Sequence, residues 1–189
     1  MSSEIERRAA ADFAAKDKRI VGYAVVFDTL SQDLGGFREV ITPEAVDRTL
    51  REALDVRALV NHDSSQVLGR TKAGTLTLRK DARGLFVEIA PPDTTVGRDV
   101  LTLVERGDVT GMSFSFAVLR PDGERWERRA GGLVRIISDM RMQDVAVVTF
   151  PAYVDAAVAQ RSLQAFQAQQ PGQSIRWLRM RHTARGGWR

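Results

Sequence analysis

Alternating apolar and polar residues divide the middle of the chain into short strands. The first is predicted in "RIVGYAVVFDTL", and others in "VRALV", "VTGMSFSFAV", "LVRIIS" and "MRMQDVAVVTFPA". The segment "GTLTLRKDARGLFVEIA" predicts a hairpin, because two alternating runs flank a polar turn from Asp81 to Gly84. The segment "PDGERWERRAGG" is mostly charged or glycine and is predicted to be a loop.

Two further segments have apolar residues at helical spacing. They are "ITPEAVDRTLREAL" and "TTVGRDVLTLVERG", and Gly107 is the expected stop of the second. A last amphipathic helix is predicted from about Asp155. Since strands dominate without regular alternation of strand and helix, the pattern favours a mostly β, α+β fold with packed helices. A strand-built barrel or sandwich fits this pattern better than a doubly wound sheet.

The two ends of the chain differ in composition from the middle. Residues 1–18 mix charges with alanine and are expected to form a flexible leader, ahead of a main domain at residues 19–160. A Gln-rich linker and a basic tail follow at residues 161–189. The tail, residues 171–189, holds five arginines and no acid. The net charge of the whole chain is +4, so the rest of the chain is near neutral. We interpret the tail as a solvated segment and leave contact with nucleic acid or an acidic partner open.

Composition excludes several kinds of site. The chain has no cysteine, which excludes disulfides, thiol nucleophiles and thiolate metal sites. No apolar run is long enough to span a bilayer, so no membrane partner is expected. With two histidines only, no metal site built on histidine is expected, although a carboxylate-only magnesium site stays open. No cofactor is predicted, since the chain has neither a phosphate-binding loop nor a dinucleotide fingerprint.

The strand "VTGMSFSFAV" places two phenylalanines and two serines on opposite faces. Phe114 and Phe116 share one face, which we expect to lie in the core, and Ser113 and Ser115 share the other. The serine face is therefore expected to line a groove.

Three polar residues stand where an apolar strand does not need them. His62 directly follows "VRALVN", Ser113 lies in the serine strand, and Asp144 interrupts "MRMQDVAVVTF". Taken singly, each fits a structural role at a strand end or a sheet edge. Together they supply a nucleophile, a general base and a group that orients the base, as serine acyl transfer requires. Asp63 is the competing acid, although consecutive strand residues point to opposite faces.

At these residues the sequence resembles a known family. The segments "VNHD", "GLFVEIAPPDTTVGRDVLTLVERGDVTGMSFSF" and "MQDVAVVTFPAYVDA" resemble the prohead (head maturation) serine proteases of tailed phages and gene transfer agents. The resemblance runs from about Ile20 to Ala157. The histidine, serine and acid of the family pattern fall on His62, Ser113 and Asp144.

Three positions depart from the family pattern. Ser115 stands where the family often has glycine, Asp144 where it usually has glutamate, and Ala146 where it usually has serine. Aspartate keeps the carboxylate but shortens its reach by a methylene. Ser115 offers a second hydroxyl beside Ser113, and the match to the family favours Ser113 as the nucleophile.

The resemblance implies a herpesvirus-protease-like fold, a mostly antiparallel barrel wrapped by helices, with residues 19–160 as the protease domain. It implies an endopeptidase inside the immature capsid, or prohead, in the bacterial cytoplasm. Its substrate would be the scaffolding protein or the scaffold segment of the major capsid protein, and also the protease itself. A homodimer is left open.

Two alternatives from other classes stay open. One is a non-catalytic capsid-assembly or scaffolding module with the same fold, in which His62 and Ser113 are far apart or blocked. The other is a structural protein tethered to nucleic acid by the basic tail, whose binding depends on salt. A hydrolase of small esters is less favoured, because the chain has no Gly-x-Ser-x-Gly elbow.

Overall fold

The computed structural model describes residues 5–10, 12–150, 163–164 and 166–168. The strands are β1 (Glu6–Ala10), β2 (Asp12–Lys16), β3 (Arg19–Val26), β4 (Phe37–Ile41), β5 (Arg57–Val60), β6 (Asp63–Arg70), β7 (Leu76–Lys80), β8 (Gly84–Ile89), β9 (Gly111–Ala117), β10 (Glu124–Arg129), β11 (Gly132–Ile137) and β12 (Arg141–Val148). Between them lie the helices α1 (Asp47–Arg51) and α2 (Thr95–Arg106) and short 3-10 turns at Pro43–Val46, Thr71–Ala73 and Pro121–Gly123. The prediction of a mostly β fold with packed helices is confirmed.

The described strands form separate sheets of five, three and four strands, with the orders β1-β9-β12-β5-β6, β10-β11-β4 and β2-β3-β8-β7. The prediction of a closed antiparallel barrel is therefore wrong for the described part of the chain. The β12–β5 and β11–β4 pairs are parallel, so the five- and three-stranded sheets are mixed, whereas the four-stranded sheet is antiparallel. The chain also passes from one sheet to another between β1 and β2, which are one residue apart. These two strands therefore belong to separate sheets and do not join them into a closed barrel.

The five-stranded sheet turns one face to the main core. Met112, Phe114 and Phe116 of β9 and Val145 and Val147 of β12 are at most 2% exposed and belong to this core. The two phenylalanine rings stack with their centroids 5.6 Å apart. Their predicted place in the core is confirmed, and strand alternation puts the two serines of β9 on the other face of the sheet.

Most of the predicted local elements are present. Helix α2 begins after Thr94, whose hydroxyl accepts a hydrogen bond from the Gly97 amide at 3.2 Å, and it ends at Gly107 with φ 77°. In the β7–β8 hairpin, the Asp81 carboxylate accepts hydrogen bonds from the Arg83 and Gly84 amides at 2.8 and 3.0 Å. These side-chain bonds satisfy backbone donors that the turn leaves free.

The predicted charged loop is partly wrong, because residues 124–129 form β10 and pair with β11. Charged residues are tolerated there since β10 is an edge strand, where outward side chains are solvated. The ring of Trp126 packs edge-on against Phe37, with centroids 5.0 Å apart, and fixes β10 to its sheet.

The prediction of a flexible leader at residues 1–18 is also wrong where the structure describes it. β1 pairs with β9, and β2 pairs with β3. The inward side chains of β1 are Glu6 and Arg8, only 2% and 5% exposed, so the strand has no apolar alternation for the sequence to display. Ion pairs make this burial tolerable, because a buried charge needs a partner.

A cluster of buried charges holds β1 to the three-stranded sheet. Arg8 Nε donates to Glu39 Oε1 at 2.7 Å, and Arg135 donates to both Glu6 oxygens at 2.5 and 2.8 Å. Arg135 also donates to Glu39 at 3.1 Å and to Glu124 at 2.6 Å. Burial alone would raise the pKa of Glu6, but hydrogen bonds and charges from Arg135 and Arg8 outweigh it and lower that pKa.

The chain divides into two units, Met1–Asp155 and Ala156–Arg189. The basic tail lies outside the described residues, as does about half of the linker. The domain boundaries at residues 18 and 160 stay predictions. Residues 163–164 and 166–168 are helical and fall within the helix predicted from about Asp155. Among the described residues, no helix has the length and apolarity needed to cross a membrane.

Candidate active site

His62 lies in the two-residue turn that joins β5 to β6. Val60 and Asp63 pair across this turn, and Asn61 and His62 have φ values of 49° and 59°. Positive φ at both central residues is the mark of a type I′ hairpin turn, and asparagine and histidine adopt it more readily than most residues. A strained backbone at a histidine is typical of residues held for function.

The turn is fastened to the end of β12 through Asn61. The backbone N–H of Asn61 donates to the Val147 carbonyl at 2.9 Å, and the backbone N–H of Thr149 donates to Asn61 Oδ1 at 3.0 Å. These bonds fix the position of His62 relative to β12, the strand that carries Asp144. Sequence reasoning did not identify Asn61 as a positioning residue.

Asp144 reaches the serine face of the sheet because of a β-bulge. Met142 pairs with Phe116 and Asp144 with the next residue, Ser115, so Gln143 is the extra residue. Met142 lies in the main core, 2% exposed. Without the bulge, Asp144 would share the core face of Met142; the bulge moves its carboxylate to the opposite side.

These elements bring the three candidate residues together. His62 Nδ1 lies 2.5 Å from Asp144 Oδ1, and His62 Nε2 lies 2.8 Å from Ser113 Oγ. The side chains of His62 and Asp144 are 7% and 15% exposed. A hydroxyl on one ring nitrogen and a carboxylate on the other is the arrangement of a nucleophile, a general base and the group that orients the base.

The competing acid, Asp63, faces away from this arrangement. Its Oδ1 accepts hydrogen bonds from the amide and hydroxyl of Ser65 at 2.9 and 2.7 Å, and its Oδ2 accepts one from Gln66 at 2.8 Å. The hydrogen bonds from Ser65 and Gln66 lower the pKa of the Asp63 carboxyl. Both oxygens are therefore engaged with residues of the same strand, β6.

Ser115 makes a contact that sequence reasoning missed. Its hydroxyl donates to Asp144 Oδ2, the oxygen that does not face His62. Register accounts for this contact, because Asp144 pairs directly with Ser115 across the β12–β9 ladder. The second serine of the strand thus holds the carboxylate of Asp144, whereas the first, Ser113, contacts the histidine ring.

Ser113 makes a second contact that the sequence did not reveal. Its hydroxyl donates to the carbonyl oxygen of Arg8 on β1 at 2.7 Å, and the residue is 0% exposed. The predicted groove is thus closed over Ser113. A serine hydroxyl has a single hydrogen, so it donates either to Arg8 or to His62 Nε2 at any moment.

The described residues contain no group of three or more acids and histidines placed to hold a metal ion. The contacts of His62 offer a hydroxyl nucleophile with a base and an orienting acid.

Comparison with known proteins identifies the family of the chain. A model of the caudovirus prohead serine protease family matches residues 3–169 of the 189-residue chain. No curated protein and no solved structure matched. The chain therefore belongs to the caudovirus prohead serine protease family, which implies a serine peptidase that acts in capsid maturation inside the immature phage capsid.

Proposed function

We propose that the chain is an endopeptidase in which Ser113 is the nucleophile, His62 the general base and Asp144 the acid that orients it. The observation that carries the proposal is the continuous set of contacts from Asp144 Oδ1 through both nitrogens of His62 to Ser113 Oγ. The family match supports serine chemistry for the chain as a whole.

The reaction follows from this geometry. Ser113 Oγ bonds to the carbonyl carbon of the scissile peptide while its proton passes to His62 Nε2. Asp144 faces Nδ1–H, so it fixes the tautomer that leaves Nε2 free to accept and stabilises the imidazolium that results. The C–N bond then breaks, the amine leaves with the proton from Nε2, and an acyl-Ser113 remains. Water, deprotonated by His62, releases the acid and restores the serine.

The substrate we propose is the scaffolding protein or the scaffold segment of the major capsid protein, together with the protease itself. The family acts on capsid assembly, which supports a capsid-related substrate. Cleavage would make removal of the scaffold irreversible and free the interior of the prohead, whether of a phage or of a gene transfer agent. The basic tail would serve as a removable targeting segment; the family match ends before it, at residue 169.

The fold relationship to herpesvirus proteases, a homodimer and contact of the tail with nucleic acid stay predictions. The non-catalytic alternative predicts that His62 and Ser113 are far apart or blocked. The 2.8 Å contact speaks against separation, while the burial of Ser113 is a form of blocking that a strand movement would relieve.

Co-expression with the major capsid protein of the same genome tests the proposal. We expect defined cleavage products with the wild-type chain and intact capsid protein with Ser113→Ala. The matched control is Ser138→Ala. The Ser138 hydroxyl donates to the Gly123 carbonyl and not to any of the three candidate residues, so this change should leave cleavage unchanged. Identical products with wild type and Ser113→Ala would overturn the assignment. Absence of cleavage in both would favour the non-catalytic module.

A further inference from the structure

The strand β1 lies directly beside the candidate nucleophile. β1 forms the edge of the five-stranded sheet and pairs only with β9 among the described strands, with Ala9 opposite Ser113 and Arg8 opposite Phe114. Peptide substrates commonly bind to a sheet edge as an added strand. On this sheet the edge nearest Ser113 is already occupied by residues of the same chain.

The contact between β1 and Ser113 opposes catalysis. When neutral His62 donates Nδ1–H to Asp144, its Nε2 can act as the base only if the Ser113 hydroxyl donates to Nε2. The Arg8 carbonyl lies 2.7 Å from Ser113 Oγ and competes for the same hydroxyl hydrogen. Ser113 is 0% exposed, so the carbonyl carbon of a second peptide has no access to Oγ while β1 is in place.

The packing under β1 is incomplete. Arg8 and Ala9 line a cavity of about 410 Å³, whose other walls include Val25, Leu30 and Leu34. Leu30 is 43% exposed, so the pocket opens to solvent, and β1 has fewer packing contacts on this side than a strand inside a filled core. The attachment of β1 depends instead on its ladder to β9 and on the ion pairs of Glu6 and Arg8.

The ion pairs also define what the edge accepts. Glu39 faces the guanidinium of Arg8 through two hydrogen bonds of 2.7 and 2.8 Å, and Phe116 lies under it with the ring centroid 5.4 Å from Arg8 Cζ. Arg135 binds both oxygens of Glu6. With β1 displaced, the Glu39 carboxylate would bind an arginine of another strand. The Arg135 guanidinium would bind an acid two residues away on that strand.

We propose, building on the proposed function, that this edge of β9 is the substrate-binding site and that β1 is a pseudosubstrate strand resident on it. The substrate is an extended peptide with an acidic residue in the place of Glu6, an arginine in the place of Arg8 and a small residue in the place of Ala9. Cleavage begins only after β1 leaves the edge.

Labelling of Ser113 by a biotinylated fluorophosphonate measures access to the nucleophile without knowledge of the cleavage site. Glu6→Gln removes the charge of Glu6 and so weakens the attachment of β1. Arg135 still has Glu39 and Glu124 as ion-pair partners, and Arg8 still has Glu39. Losing a charged hydrogen bond should speed labelling by about tenfold or more. The matched control is Asp139→Asn. Asp139 lies between β11 and β12 and forms an ion pair with Arg48 of α1. This variant loses a charge of the same sign but should be labelled at the wild-type rate.

The wild-type chain supplies a second test that does not depend on a variant folding. If β1 gates the site, labelling rates should reach the same plateau for two fluorophosphonates of different reactivity, because strand opening limits both. Hydrogen exchange at residues 6–10 should be faster than at residues 111–117, since β1 opens without the rest of the sheet. Rates that rise linearly with probe concentration would overturn the gate.

A peptide tests the specificity. "SEIERRAAADFA", which repeats residues 3–14, should slow the labelling of the Glu6→Gln chain. A peptide in which the equivalents of Glu6 and Arg8 are exchanged should not slow the labelling. Equal effects of the two peptides would overturn the proposed preference for an acid and an arginine at these positions.

These outcomes separate the inference from the proposed function. Equal labelling of Ser113 in wild type, Glu6→Gln and Asp139→Asn would overturn the role of β1 and leave the nucleophile in place. Labelling at other residues only would overturn the proposed function itself.

Discussion

Replacing Asp144 with asparagine separates the charge of the candidate acid from its shape. Asp144 Oδ1 lies 2.5 Å from His62 Nδ1, and Oδ2 accepts from Ser115. The asparagine keeps the size of the side chain but removes the counter-charge of the imidazolium that forms when His62 takes the serine proton. Folding should be preserved, because the amide can still bond to both neighbours.

The size of the effect follows from two terms. Opposite charges with centres about 4 Å apart interact by about 4 kcal/mol at an effective dielectric constant of about 20, which corresponds to about a 10³-fold change in rate. An amide NH₂ turned toward His62 would also impose the wrong tautomer, which in a known triad lowers turnover about 10⁴-fold. Ser115 permits the opposite orientation as well, since its hydroxyl can accept a hydrogen bond from the NH₂ group. We therefore expect a loss of about 10³-fold.

The assay is release of p-nitrophenol from an activated ester, which needs no knowledge of the cleavage site, with thermal unfolding as the check on folding. Asp63→Asn is the matched control and should stay close to wild type, because the Asp63 carboxylate is held by Ser65 and Gln66 of its own strand, β6. Asp144→Glu should keep partial activity. A loss of less than about tenfold in Asp144→Asn, or an inactive Asp63→Asn, would mean that Asp144 is not the acid that orients His62.

Three further predictions concern the base, the buried charges and the tail. His62→Ala should lower turnover as severely as Ser113→Ala, and the double variant should lose no more than either, because the residues act as a unit; multiplied losses in steady-state kinetics would contradict this. The lowered pKa of Glu6 means that its stabilising contribution is present above the ordinary value of 4.5 and is lost as the pH falls through the folded-state pKa. In urea unfolding, wild type should therefore be more stable than Glu6→Gln at neutral pH and lose that advantage in acid; a difference independent of pH would contradict the ion-pair origin. Truncation after Gln170 should leave ester hydrolysis unchanged and impair incorporation into particles, whereas loss of hydrolysis would place the tail in the active fold.

The three candidate site residues could be selected from sequence because each is polar within an apolar setting. Ser113 and Asp144 lie in strands with buried apolar residues, and His62 closely follows the buried Ala58 and Leu59 of β5. Such positions stand out in a single sequence. Their meeting could not be derived that way. It depends on the bulge at Gln143 and on the positive φ values of the turn at His62, and neither has a signature in the pattern of apolar residues.

The N-terminal strand could not be predicted for a related reason. Its inward residues, Glu6 and Arg8, are charged, and their partners Glu39 and Arg135 lie far along the chain. A period-2 pattern of apolar residues detects strands that bury hydrocarbon and misses strands that bury ion pairs. The parallel pairing of β12 with β5 was likewise invisible, since it joins segments that local pattern does not relate.

The most direct test of the account is to locate the residue that a fluorophosphonate modifies in the full chain. After long incubation and proteolytic digestion, mass spectrometry should find a single adduct on Ser113, absent from Ser113→Ala and formed much more slowly in His62→Ala. An adduct on Ser115 instead, or unreactive Ser113 even in the Glu6→Gln chain, would contradict the assignment of Ser113 as the nucleophile.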